Sequence, residues 1–62
     1  MIKEYDIVKA VKNINDLVLI GTIGTVVMIY QRPSLGYEVE FINDAKETIA
    51  VITVKPDEIA KR

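Results

Sequence analysis

An all-β domain is predicted by three features of the chain. Tyr37, Val39 and Phe41 alternate with Glu38 and Glu40, a period of two that puts the apolar side chains on one face and both carboxylates on the other. Gly24 to Tyr30 contains Val26, Val27, Ile29 and Tyr30, and β-branched and aromatic residues suit a pleated surface. Half of the 62 residues are hydrophobic, mainly Ile and Val with few aromatics, which argues for β-structure and against disorder.

Taken in order, Tyr5 to Lys12 reads as the first strand, with Ile7, Val8 and Val11 as its apolar content. Asn13-Ile14-Asn15-Asp16 is rich in side chains that bond their own backbone and break ladders. Leu17-Val18-Leu19-Ile20 then fits either a buried excursion of a long loop or a short strand. Gly21-Thr22-Ile23-Gly24 leads tightly into strand two. The two glycines superficially suit a phosphate loop, but no Lys follows, and Val-Val-Met-Ile-Tyr predicts a strand where such a loop needs a helix.

Gln31 to Leu35 separates strands two and three; Pro33 removes an amide donor and Gly36 permits positive φ, so a turn belongs there. Asn43 to Lys46 is a second turn. Glu47 to Val54 reads as a further strand, apolar on both faces and therefore expected to be central or covered. Lys55-Pro56-Asp57-Glu58 is expected to form one helical turn, since Pro suits a first helical position and acids suit a helix N-terminus. Ile59 and Ala60 anchor the end.

Four to five short antiparallel strands, a long first loop and a helical turn before the last strand predict a small SH3-like barrel, which would close its edges at small size. A half-open antiparallel sheet is the alternative. Residues 1–62 form a single domain on this reading. A chain of this size buries only about 60% of its unfolded surface, so its stability is marginal unless the core is efficient or a partner helps.

Composition excludes several function classes. The formal net charge is −1, with a sequence pI near 5.2, which lowers the expectation of nucleic-acid binding. The first residues alternate charge without an apolar core, so no signal peptide is expected. The longest nearly apolar run, Ile20 to Tyr30, is too short for the about 20 residues that span a bilayer. A soluble, cytoplasmic protein is expected.

The segments Tyr5-Asp6-Ile7-Val8, Gly24-Thr25-Val26-Val27, Tyr37-Glu38-Val39-Glu40-Phe41 and Glu47-Thr48-Ile49-Ala50 occur in an order and spacing that resemble a family of short bacterial proteins known as domain of unknown function 4926. The resemblance covers nearly the whole chain. It implies a small β-barrel, nothing catalytic, and an accessory role in a two-gene cassette. A looser similarity, through Gly21-Thr22-Ile23-Gly24-Thr25-Val26, runs to KOW-type SH3-like barrels. That similarity implies binding of RNA or ribosome-associated proteins, but the basic surface it needs is missing.

The chain lacks His, Cys and Trp, and its only Ser is Ser34, in the first hairpin loop. A Ser/His/Asp or Cys/His nucleophile system cannot be assembled from it, the usual zinc ligands are missing, and neither an enzymatic activity nor a cofactor is expected. Glu38 and Glu40 share a strand face with Cα atoms about 6.6–7 Å apart, a spacing that overlaps the inverting-glycosidase range. Solvated carboxylates on an outer face are the simpler reading. Asp44 and Glu47 are explained by turn chemistry before a weak Mg²⁺ or Ca²⁺ site.

Strand two carries more apolar side chains than a small barrel can bury on one side. One register puts Val27 and Ile29 inside with Met28 and Tyr30 outside; the other puts Val26, Met28 and Tyr30 inside. The first is preferred. It sets Met28 and Tyr30 beside Glu38 and Glu40, a surface for a basic partner protein or for a second copy, unless Leu17 to Ile20 folds over it. The expected function is a non-enzymatic protein-binding module, antitoxin-like or immunity-like, which masks a partner encoded nearby. The alternative is a nucleic-acid-binding barrel that uses Lys9, Lys12, Arg32 and Lys46 with Tyr30 or Tyr37.

Overall fold

A computed structural model describes residues 1–62. The chain is all-β: β1 (Ile7–Ala10), β2 (Ile23–Tyr30), β3 (Gly36–Ile42), β4 (Thr48–Val54) and β5 (Ile59–Lys61), with a single 3₁₀ turn at Pro56–Glu58. All five strands belong to one antiparallel sheet in the order β4-β3-β2-β1-β5. The predicted helical turn before the last strand is present, and no helix is long and apolar enough to cross a membrane. The hydrogen-bonded ladder is not closed between β4 and β5.

Successive inward rows explain the packing. Val8, Gly24, Phe41 and Ala50 lie opposite one another across β1, β2, β3 and β4. The small residues on either side of Phe41 make room for its ring. Val26, Val39 and Ile52 form the next row, and Ile29, Tyr37 and Val54 the third. Ala10, Val18 and Ile59 complete one apolar cluster, which contains no charged side chain.

Strand two resolves its own surplus with a β-bulge. Val26 pairs with Val39, but Met28 pairs with Glu38, so Val27 is an extra residue. A bulge shifts the alternation by one residue. Val26 and Ile29 therefore both face inward, while Met28 and Tyr30 face outward. The preferred register is correct beyond the bulge and must be corrected before it: Val26, not Val27, occupies the core.

Two further expectations change, and one left open between loop and strand is decided. The first strand is shorter than Tyr5–Lys12, because Tyr5 has φ 68° and stands in a turn. Leu17 to Ile20 is loop, not strand. Asn15 Oδ1 accepts the Leu17 and Val18 amides at 2.8 Å each, and Asn13 Oδ1 accepts that of Ile20 at 2.7 Å. These bonds drop Val18 into the core and leave Leu17, Leu19 and Ile20 exposed. Finally, β4 is an edge strand, not a central one.

An exposed ion pair ties the end of β1 to the 3₁₀ turn, with Lys12 Nζ 2.8 Å from Asp57 Oδ2. The hydrogen bond from Lys12 holds the Asp57 carboxyl below its ordinary 3.8, and the same bond raises Lys12. The backbone amide of Lys3 likewise lowers Asp6. A depressed carboxyl contributes stability above its unfolded value and loses it as pH falls through the folded value. The melting temperature is therefore expected to fall as pH drops below about 3.8, and less steeply in D6N/D57N. Asp57 is exposed and Asp6 only half-buried, so the effect is small. Parallel melting curves from pH 5 to 2 would contradict it.

Candidate partner-binding face

The outward sheet face is built from the rows complementary to the core. Met28, Glu38 and Thr53 stand in one row, and Ile7, Thr25, Glu40 and Val51 in the next. Met28 is 48% exposed and Tyr30 38%, and the first loop does not cover them. Opposite Tyr30 is Gly36, which has no side chain to shield the ring. The four residues predicted to form the surface, Met28, Tyr30, Glu38 and Glu40, do share this face.

Two threonines orient the carboxylates. Thr53 Oγ1 donates to Glu38 Oε1 and Thr48 Oγ1 to Glu40 Oε2, each at 2.5 Å. The two acids stay half-buried, with their hydroxyl donors on the neighbouring β4. Sequence reasoning misses Thr48, Thr53 and Val51 as members of this face, because their position depends on the β3–β4 register.

Two grooves flank the face, and neither is lined by Glu38 or Glu40. The larger, about 440 Å³, brings Ile20, Ile23, Ile42 and Ile49 under Lys46 and Arg62. The other, about 360 Å³, lies at the β2–β3 hairpin tip, between Tyr30, Arg32, Leu35 and Lys55.

The remaining candidates are dispersed. Asn43 Nδ2 donates to Glu47 Oε1 at 3.0 Å, and Asn43 Oδ1 accepts the Ala45 and Glu47 amides, so turn hydrogen bonding accounts for Asn43 and Glu47, and Asp44 lies within that turn. No three acidic side chains converge on a common point. Lys12 is committed to Asp57, Arg32 lines one groove and Lys46 the other. Gly24 lies mid-sheet and Gly21 in a turn at φ +92°; the pair forms no phosphate cradle.

Among known protein families, the one described as domain of unknown function (DUF4926) matches residues 4–61. No curated protein and no solved structure matches the chain.

Proposed function

The chain belongs to the DUF4926 family, and from that premise we propose a non-enzymatic protein-binding module that masks a basic site on a partner protein. The observation that carries this reading is the outward face, where exposed Met28 and Tyr30 stand beside half-buried Glu38 and Glu40. Met and Tyr supply adaptable and rigid contact area at interfaces. Two oriented carboxylates select a partner by charge. An antitoxin-like or immunity-like role in the cytoplasm, with the partner encoded nearby, accords with this chemistry.

The SH3-like reading of the sheet belongs to the same proposal. It is supported by the strand order, in which a four-strand meander is followed by a fifth strand that returns to β1, and by the 3₁₀ turn before that strand. The nucleic-acid alternative draws less support, because Lys12, Arg32 and Lys46 are committed to different places on the surface.

Capture of tagged protein from its host, at low and high salt and with nuclease, tests the reading. One protein recovered stoichiometrically under all three conditions by the natural chain, and lost with M28S/Y30S, is the expected result. The double variant removes only outward side chains, so its melting temperature is expected to stay within a few degrees. Normal recovery by a folded M28S/Y30S, or material released by nuclease, would refute the assignment.

A further inference from the structure

The outer edge of β4 is the least protected feature of the molecule. β4 is seven residues long, Thr-Ile-Ala-Val-Ile-Thr-Val, and contains neither a charge nor a proline. Soluble proteins blunt such edges with Lys, Pro, bulges or brevity. The opposite edge follows that rule, since β5 has three residues and carries Lys61. On β4 the only backbone partner is β3. None of the other backbone bonds, and no side chain, reaches a main-chain group of Thr48–Val54. Alternate residues therefore offer their N–H and C=O groups to solvent, and only another extended backbone satisfies such a row.

We propose that the occupant of this edge is β4 of a second copy of the chain, paired antiparallel about a two-fold axis at Val51. The flanking charges select that partner and that register. With Val51 opposite Val51 of the second copy, all seven strand residues pair, and Glu47 falls opposite Lys55 at both ends. Neither Glu47 nor Lys55 takes part in an ion pair within the chain, and both are exposed. In an antiparallel pair, two-fold symmetry permits only shifts that bring a residue opposite itself. Centring on Ile52 would pair only Ala50 to Val54 within the strand and leave Glu47 against the 3₁₀ turn, with no cation opposite it. Centring on Ala50 would leave Glu47 opposite Thr53 and shorten the ladder. The Val51 register is thus the one that satisfies both backbone and charge. Val51 is 52% exposed, as the central residue of an uncovered edge should be. The pairing is independent of the Met28 and Tyr30 face, and it would join two such faces into one continuous ten-stranded sheet.

The test is sedimentation equilibrium of the full chain from micromolar to about 1 mM, the range in which weak association is measurable. The expected result is a mass rising with concentration to twice the 7.0 kDa of the chain. V51K is expected to be monomeric throughout and still folded. Its new ammonium group would face Glu40 within its own sheet, but an identical positive charge across the two-fold axis. E47K and K55E are each expected to weaken association about tenfold, because both symmetry-related pairs change at once. E47K/K55E should recover it. A natural chain monomeric at 1 mM overturns the proposal. So does a V51K dimer, or a double charge swap no tighter than the single ones when circular dichroism shows all variants folded.

Discussion

Phe41→Ala is expected to remove most of the chain's stability and to lower its unfolding midpoint sharply. Phe41 is fully buried near the C-terminal end of β3, between Gly24 on β2 and Ala50 on β4. No neighbour in its row is large enough to collapse into the space an alanine would leave. Truncation of a buried Phe to Ala typically costs about 3–5 kcal/mol. A domain of this size has a total stability of only about 3–9 kcal/mol, at the usual 0.05–0.15 kcal/mol per residue. The loss therefore consumes most of the margin. Phe41→Leu keeps much of the volume and should remain folded. Urea denaturation followed by far-UV circular dichroism separates the cases. An alanine variant with a midpoint close to that of the natural chain would show that the core is not centred on this ring.

The same ring shows what is legible in the sequence. Tyr37, Val39 and Phe41 alternate with two glutamates, so strand three and its buried face can be read directly, and the structure places β3 at Gly36–Ile42. Strand two carries no such signal. Val26, Val27, Met28 and Ile29 are all apolar, either phase satisfies them, and the chain uses both by inserting a bulge between Val26 and Met28. Outward placement of Met28 and Tyr30 is legible only because it is common to the preferred register and to the bulged one.

Strand four misleads for a related reason. A run that is apolar on both faces reads as a covered strand, yet β4 lies at the sheet edge. Hydrophobicity along a strand reports how much surface wants to be buried, not which strand will bury it. The threonine partners of Glu38 and Glu40 are equally hidden, because they depend on cross-strand register, which no single segment specifies. The Leu17–Ile20 loop is half legible: Asn13 and Asn15 mark the break, but only their amide bonds decide that Val18 alone goes inside.

Gly24→Ala is expected to destabilise the fold by about 2–4 kcal/mol, near the upper end of what overpacking usually costs. A methyl group at this position would lie 2.6 Å from Val39 Cγ1, and 2.9 Å from both the Glu40 carbonyl oxygen and Phe41 Cδ1. Two of those contacts are fully buried core side chains, and the third is backbone of the paired strand. Relief requires β2 and β3 to part at the centre of the sheet, where Gly24 also faces Val8 of β1. Alanine's smaller unfolded-state entropy returns only about 0.4–1 kcal/mol. The other two glycines calibrate the result. A methyl on Gly36 would meet its nearest neighbour, the Val54 carbonyl oxygen, at 3.4 Å, so Gly36→Ala should be nearly neutral. Gly21 faces open space but has φ +92°, so its alanine variant pays backbone strain of about 1–2 kcal/mol without any clash. Thermal unfolding of the three variants should therefore rank Gly24 well below Gly21, with Gly36 close to the natural chain. A Gly24→Ala protein as stable as Gly36→Ala would mean that β2 and β3 do not approach closely at this point, and the packing of Phe41 against a glycine would have to be abandoned with it.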